Sequence, residues 1–576
     1  MSSIVLVLAS PEYLRFFDTT IRTLTERGHR VHLVVNEAAG HKPVGLAGAG
    51  SLPLASVQVL PWTRTFWADA AYRYRAVVDF VRFLHPDFAG APVLRERIKR
   101  KVLPRAFAWL DRVDSIPTAA LNRVLAVLAA GERALPVDPR VLSMLAERRP
   151  DLVIVSPLVD AASTQVEWVK AARQEGIPSA LAVASWDNLT NKGLMRVAPD
   201  RVFVWNDIQR TEAERYHRVP RERVVVTGAP VFDRWFHAVP SRPRDEFCAA
   251  AAVDGSRPFV LFTGSSSFIA EAGAEIAFVR RWVGALRTCG SRSVRDLAVL
   301  VRPHPYNTEA WAAADVRDLD RVSVWPRGAF NPSSEQGRRD FFDSLHYSAA
   351  VVGINTSAMI EAAIVGRPVL TITDFQTQAG TLHFHYLLAE HGGPVRAAST
   401  LAEHVSHLAQ ALSDPPEAHE RRRRFVESFV RPNGMSADAA PQLARAIEAA
   451  ADLRVPARGT GVAIAWRPAM AAFAAGTAAY DRLTGPDPFA PVRKGVFHPL
   501  RTARKRAARA LAHGREQASR TGKLAGSRLR RSTHVVRAQV RHAPHLWKSC
   551  RRAARQVRYN VAVFVKGGVS AGPRKS

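Results

Sequence analysis

Residues 4–35 read IVLVLASPEYLRFFDTTIRTLTERGHRVHLVV. The run IVLVLAS (4–10) is apolar over strand length, YLRFFDTTIRTLTERGH (13–29) has helical spacing with a glycine near its end, and VHLVV (31–35) is apolar again. Two strands joined through a helix lie parallel, with a right-handed crossover. The same alternation returns in DLVIVSP (151–157), a helix near 160–175, PSALAVAS (178–185), DRVFVW (200–205), a helix near 207–217 and RVVVTG (223–228). After GAPVFDRW (228–235) a second series follows: PFVLFTG (258–264), a helix near 271–287, LAVLVRPHP (297–305), RVSVWP (321–326), AAVVGIN (349–355), a helix near 357–365 and PVLTI (368–372). The pattern predicts two Rossmann-like α/β domains facing a cleft. Residues 1–235 form the first, with a helical insertion at about 60–148; residues 236–450 form the second; residues 451–576 are a basic, partly helical or disordered tail.

Composition agrees with this division. A 576-residue chain with 47% hydrophobic and 23% charged residues is too long for one core and too apolar for general disorder. Cys248, Cys289 and Cys550 are far apart and odd in number, which argues against a disulfide framework or a cysteine metal site and for a reducing cytoplasm. The amino terminus lacks a basic region and a small-residue cleavage site, so its apolar run reads as a first strand rather than a signal peptide. The apolar stretch at 462–480 is broken by Arg467 and Pro468, too soon for a membrane span. From residue 491 onward there are 23 Lys or Arg against one acid, Glu516, so +22 of the chain's +30 lies in the tail. Leu500, Ala507 and Leu511 at helical spacing among arginines suit an anionic lipid surface; a solvated tail is the alternative. The tail lacks interleaved aromatics and any recognition-module signature, so nucleic acid is not the expected partner.

In open parallel sheets ligands bind beyond the carboxyl ends of the strands, and three such ends in the second half carry phosphate-compatible groups. GINTSAMIEAAIVGRPVLTI (353–372) puts Asn355, Thr356 and Ser357 at a helix start, where a cap and free N–H groups favour an anion, with the carboxylate of Glu361 one turn on. FTGSSSF (262–268) offers Gly264, Ser265, Ser266 and Ser267 as a phosphate loop. VRPHP (301–305) offers Arg302, a fork for phosphate oxygens, and His304, a donor of a hydrogen bond or proton. In the first half, SWDNLTNKG (185–193) crowds Trp186, Asp187, Asn188 and Lys192 into one connection, and ASPEYLRFF (9–17) holds Glu12 and Arg15. Asp187 and Glu12 are rival candidates for the base that deprotonates an acceptor hydroxyl. His383 and His385 in TDFQTQAGTLHFHY (373–386) have no third ligand at credible spacing, so no metal site is expected.

TGSSSF, RPHP and DSLHYSAAVVGINTSAMIEAAIVGRPV resemble the carboxyl-terminal half of glycosyltransferases of the GT-B architecture, whose relatives include nucleotide-sugar 2-epimerases and CDP-glycerol glycerophosphotransferases. The likeness spans roughly residues 1–450. It implies a second domain that holds a nucleotide-diphosphate donor and a first domain that presents the acceptor. By motif position, Glu361 would bond the ribose, and Asn355 to Ser357 would form the anion-binding helix start. Ser357 stands four residues before Glu361, where some retaining transferases have a second carboxylate. Arg15, Trp186, Asn188 and Lys192 would then bind acceptor, with His304, Asp187 and Glu12 catalytic. The implied activity is transfer of a sugar from a nucleotide sugar, with no cofactor and no metal, to a glycan or lipid-linked acceptor of the cell envelope or surface polysaccharide. The site of action would be the cytoplasm, at the inner face of the membrane. An epimerase, a glycerophosphotransferase and a non-catalytic membrane or polyanion binder are the rival readings.

Overall fold

The structure is a computed structural model that describes residues 1–36, 50, 52–328, 334–373, 382–459 and 465–483. Most of the histidine-containing segment at 373–386 and all of the basic segment from 491 lie outside the described residues. Among the described residues, thirteen strands form two sheets in which every pairing is parallel. The first comprises β1 (Ser3–Leu8), β2 (Arg30–Asn36), β3 (Ser56–Leu60), β4 (Leu152–Ser156), β5 (Ser179–Ala182), β6 (Arg201–Val204) and β7 (Val224–Val226), ordered β3-β2-β1-β4-β5-β6-β7. The second comprises β8 (Phe259–Thr263), β9 (Ala298–Arg302), β10 (Val322–Val324), β11 (Ala350–Gly353), β12 (Val369–Ile372) and β13 (Val395–Ala398), ordered β10-β9-β8-β11-β12-β13. Every residue of β1, β4, β8 and β9 is buried, as expected of strands covered by helices on both faces. The two sheets with their loops opening on one cleft make the GT-B architecture.

The order in which successive strands are laid down reverses in each sheet between two central neighbours, β1 beside β4 and β8 beside β11. Loops leaving such a pair diverge to opposite faces and leave a crevice. Two edge strands, β3 and β13, escape the sequence reading. In β3 only Leu60 is buried while Val57 and Val59 face solvent, so no buried face is written into its pattern.

The insertion is helical, with helices Phe66–Arg82, Pro92–Lys101, Thr118–Ala134 and Pro139–Arg148. Two of its arginines, Arg75 and Arg82, are buried. Buried Arg75 forks onto Glu132 at 2.8 and 3.0 Å and also meets Glu167. Arg82 donates to the carbonyls of Leu189 and Lys192. Asp79 accepts from Ala162 N (2.7 Å), Leu194 N (2.8 Å) and Arg196 (2.5 Å), all buried. The insertion thus holds the loops that follow β4 and β5. Gly193 is required by this approach, since a Cβ there would lie 2.6 Å from the Asp79 carboxylate.

The chain crosses between the halves twice. After β7 the segment GAPVFDRW leaves the first half; the return brings helix Ala439–Ala451 back onto the first sheet, with Leu443, Ala444 and Ile447 packed among Ile4, Leu6 and Ile21. The two crossings are tied: Asp233 accepts from Ala439 N (2.9 Å) and Ala440 N (2.7 Å), and Ala229 N donates to Val430 O at 3.0 Å. Residues 439–450, assigned from sequence to the second domain, therefore pack with the first. Helix Arg467–Leu483, read as the start of the tail, packs on the insertion, with Phe473 edge-on to Tyr74 at 5.6 Å and Met470 buried.

Removing one partner of a buried pair leaves an uncompensated charge, so Asp79→Ala, which strands Arg196 and two backbone N–H groups, is expected to cost about 3–5 kcal/mol. Urea denaturation checks this; a loss below about 1 kcal/mol, the scale of an exposed pair, would show that the insertion does not depend on Asp79.

Candidate functional site

The loops at the two reversal points face each other across a cleft of about 280 Å³. The first half contributes Arg15 and Phe16 after β1, Ser185 and Trp186 after β5, and Trp205 after β6. The crossing segment adds Arg234 and Trp235, and the second half adds Gly264, Arg302, His304, Arg338, Phe341, Thr356, Ser357 and Glu361. Four guanidinium groups and one carboxyl thus line a space walled by aromatic rings. Such a lining suits a ligand with a flat apolar part and multiple negative charges.

Arg302 is the last residue of β9 and only 5% exposed. Its guanidinium donates to Ser344 Oγ at 3.0 Å and to the carbonyls of Asp340 and Gly337 at 3.4 Å, and lies 5.1 and 5.2 Å from the rings of Trp325 and Phe341. Burial, against the pull of Asp340 and Asp343, lowers its pKa to about 10, which leaves it charged at neutral pH. His304 Nδ1 accepts from Tyr306 N at 3.2 Å, capping the short turn Pro305–Asn307. That bond puts the neutral ring's proton on Nε2. Burial and the neighbouring Arg15 push the imidazole down to about 4, so it is an uncharged donor near pH 7.

Helix Ala358–Ile364 begins at the cleft without a side-chain cap; Thr356 Oγ1 only accepts from Ala358 N at 3.4 Å. Thr356 and Ser357 line the cleft, whereas Asn355 is buried beside it, its N–H directed to Ser265 Oγ at 3.4 Å. Glu361 faces the cleft from the first turn, and burial pushes its carboxyl up to about 8 against the pull of Arg15 and Arg234.

The serine loop corrects the sequence reading in part. Gly264 lines the cleft, and a Cβ there would stand 2.7 Å from His304 N. Ser265, Ser266 and Ser267 do not line it: Ser265 N donates to buried Glu275 at 2.8 Å, its carbonyl accepts from Asn307 Nδ2 at 3.0 Å, and Ser267 is exposed. Glu275 is a fully buried carboxyl that shapes this loop, and Trp311 Nε1 reaches it at 2.9 Å.

In the first half only Arg15 and Trp186 of the expected acceptor-side residues line the cleft. Asn188 is structural in its contacts, its Oδ1 accepting from Ala184 N and Ser185 N at 3.2 Å. Asp187 lies behind Ser185, whose Oγ donates to it at 2.6 Å; Asn191 Nδ2 donates at 3.3 Å. Burial opposes the Asp187 charge, but His383, Lys192 and the Ser185 hydroxyl together hold the carboxyl below the usual range. Lys192 Nζ donates to Tyr13 Oη at 2.8 Å and Asp160 Oδ1 at 2.6 Å, and it does not line the cleft. Glu12 is exposed, within electrostatic reach of Tyr306, and does not line the cleft. His383 packs edge-on against Trp186 at 4.3 Å and shares a hydrogen bond with Asn191 at 3.1 Å. Among the described residues no three His, Cys, Asp or Glu side chains converge as a metal site.

Arg234, Arg338, Trp205 and Phe341 were not singled out from sequence. Arg234 sits in the quoted GAPVFDRW segment, but that it turns into the cleft follows from the crossing of the chain, and Arg338 lies on an ordinary amphipathic helix, Glu335–Tyr347.

No family model matches the sequence, and no curated protein matches it. Among solved structures the chain is similar to a putative UDP-N-acetylglucosamine 2-epimerase from Listeria monocytogenes, at 14% identity and a TM-score of 0.45 over 79% of this chain and 98% of that one. It is also similar to the UDP-GlcNAc 2-epimerase of Neisseria meningitidis bound to UDP-GlcNAc (12%, 0.42, 78% and 100%). A third is WaaG, a glycosyltransferase involved in lipopolysaccharide biosynthesis (13%, 0.41, 78% and 99%).

A carboxyl with a raised pKa holds a proton in the folded chain that the unfolded chain releases, so its contribution to stability falls as pH rises from about 4.5 to about 8. Glu361→Gln removes that loss. Its melting temperature relative to the parent should be higher at pH 8 than at pH 5, by differential scanning calorimetry. An equal difference at both pH values would show that Glu361 ionises as an ordinary surface carboxyl.

Proposed function

We propose that this chain is a glycosyltransferase that moves a sugar from a nucleotide-diphosphate donor to an acceptor of the cell envelope or surface polysaccharide. The observation that carries the reading is the convergence of Arg15, Arg234, Arg302 and Arg338 with Glu361 on one aromatic-walled cleft. Cleaving a sugar–diphosphate bond leaves the bonding electron pair on a phosphate oxygen. Preorganised cations in a partly dehydrated cleft stabilise that developing charge. In this reading Arg302 and its neighbours clamp the diphosphate without a resident metal, and His304 Nε2–H donates to the departing oxygen. Thr356 and Ser357 hold the phosphate side, and Glu361 accepts from the ribose hydroxyls. Trp186 flanks the sugar.

The acceptor oxygen attacks the anomeric carbon and must lose its proton. Ser185 lines the cleft and donates to the ionised Asp187, so Asp187 takes that proton through the Ser185 hydroxyl; Glu12, exposed and outside the cleft, is the less suited candidate. Among the described residues no helix is long and apolar enough to cross a membrane. Contact with an envelope acceptor then falls to the basic segment 491–576, acting at the cytoplasmic face.

A panel of nucleotide sugars incubated with and without lipid acceptors, followed by mass spectrometry, tests the reading; epimerised donor, or transfer of a polyol phosphate, would replace it with one of its rivals. A hydrogen bond to an uncharged carboxyl contributes about 0.5–1.5 kcal/mol, so Glu361→Ala should weaken donor binding by about threefold to tenfold in calorimetry near neutral pH. Arg302→Lys should stay impaired because an ammonium cannot reproduce the fork, while His304→Ala should lower turnover with little change in donor affinity. Wild-type turnover in both would place the diphosphate elsewhere. Full-length protein should sediment with acidic vesicles at low salt and release at high salt, and a chain ending at residue 490 should remain in solution. Equal sedimentation of the two would remove the basic segment from the membrane contact.

A further inference from the structure

Among the described residues the Asp187 carboxylate has one side-chain donor on each oxygen. Ser185 Oγ donates to Oδ1 at 2.6 Å, and Asn191 Nδ2 donates to Oδ2 at 3.3 Å. These three residues lie between β5 and β6 of the first half. The remaining polar atom of the Asn191 amide, Oδ1, shares a hydrogen bond with His383 Nδ1 at 3.1 Å. His383 belongs to the second half. It directly precedes the turn Phe384–Leu387, whose Phe384 and Leu387 are buried in one core with Phe259, Leu261 and Val369. Its ring meets Trp186 edge-on at 4.3 Å, and both His383 and Asn191 are buried.

Hydrogen-bond chemistry sets the direction of this chain. An ionised carboxylate only accepts, so Asn191 turns its N–H toward Asp187 and leaves Oδ1 for His383, which must donate from Nδ1. Burial pushes His383 down to about 4, so the ring is neutral near neutral pH and carries its one proton on Nδ1. An asparagine amide turns readily about its last torsion; held at both ends, it keeps one orientation. We infer that His383 is a positioning residue for Asp187: the half that binds the donor supplies the contact that holds the acceptor-side base in place. The word base rests on the glycosyl-transfer reading, in which the acceptor proton moves to Ser185 Oγ as the proton of Ser185 moves to Asp187 Oδ1. The chain of bonds from His383 to Asp187 does not rest on it. Since His383 is fixed to the second-half core, Asp187 has its full support only while the two halves meet at Trp186, which ties proton uptake to that arrangement.

Two substitutions separate this role from mere packing on Trp186. His383→Phe keeps a ring against the indole and removes the donor; His383→Asn removes the ring and keeps an N–H near the place of Nδ1. With lipid acceptors and whichever nucleotide sugar of the panel is turned over, His383→Phe should lower kcat about tenfold at unchanged donor KM, the size expected for one hydrogen bond. His383→Asn should retain most of the turnover. Asn191→Leu should match His383→Phe, and the double substitution should lose no more than either alone, because both act on Asp187 in series. The reverse order, His383→Phe active and His383→Asn impaired, would reduce His383 to packing and overturn the inference. A second measurement needs no substrate. In nuclear magnetic resonance spectra of the full chain with labelled histidine ring nitrogens, at neutral pH, the His383 signal is the one that His383→Asn removes. It should report a neutral ring protonated on Nδ1, and Asn191→Leu should shift it toward protonation on Nε2. A wild-type ring protonated on Nε2, or one indifferent to Asn191→Leu in folded protein, would overturn the inference whatever the turnover. If no nucleotide sugar is consumed, the transfer reading falls, and the position of the ring proton still decides whether His383 holds Asn191 toward Asp187.

Discussion

Parallel pairing is the constraint on which this molecule rests. When every strand of a sheet runs the same way, every helix that follows a strand starts at the same edge, so all the loops with free N–H groups and polar side chains collect there. Two such sheets are joined so that these edges face one another. The join is a pair of adjacent crossings, held where the Asp233 carboxylate receives the first N–H groups of the returning helix Ala439–Ala451. That cap fixes where Arg234 stands, one residue along, and Arg234 is one of the four cations in the cleft. Local helix capping and the composition of the site are therefore one arrangement.

The insertion plays a comparable part for the first half. Arg82 holds the carbonyls of Leu189 and Lys192 within the SWDNLTNKG connection and Asp79 holds the N–H of Leu194 just after it, while Arg75 and Lys170 converge on Glu132. Buried ions of this kind add little net stability, but they admit few alternative packings. The result is a loop whose Asp187 and Lys192 are held by fixed partners. The same insertion also sets Arg97 against Phe268, so one element both holds loops of the first half and touches the loop after β8 in the second.

Electrostatics divides the cleft from the side chains packed behind Ser185. The cleft has arginines and a carboxyl made reluctant to ionise by burial, and it favours a strongly anionic ligand. Behind Ser185, Lys192 is paired with Asp160, and the Asp187 carboxyl is held below its usual range although burial opposes its charge. In the proposed transfer, the groups that would take up negative charge and the carboxylate that would take up a proton lie on either side of Ser185.

Much of this was legible in the sequence because it is local. Apolar runs of strand length, helical spacing between them and the joint near residue 230 state the two α/β halves, and polar residues at strand ends, Arg302, His304, Thr356, Ser357 and Glu361, mark the cleft, since a side chain at the end of a parallel strand has only one edge to occupy. What lies outside that logic depended on long-range packing. The edge strands β3 and β13 lack a continuous apolar run, β3 burying only Leu60 and β13 only its two ends, and Ser265 to Ser267 look like a phosphate loop until Glu275, ten residues on, takes the Ser265 N–H. Arg234 and Arg338 come from segments with no strand-end signature, and the helices Ala439–Ala451 and Arg467–Leu483 join the first half only because their apolar faces find cover there. Periodicity records which face of an element is buried; it holds no record of which distant element does the burying, and the partners of Asp187, Lys192 and Arg97 are set by that choice.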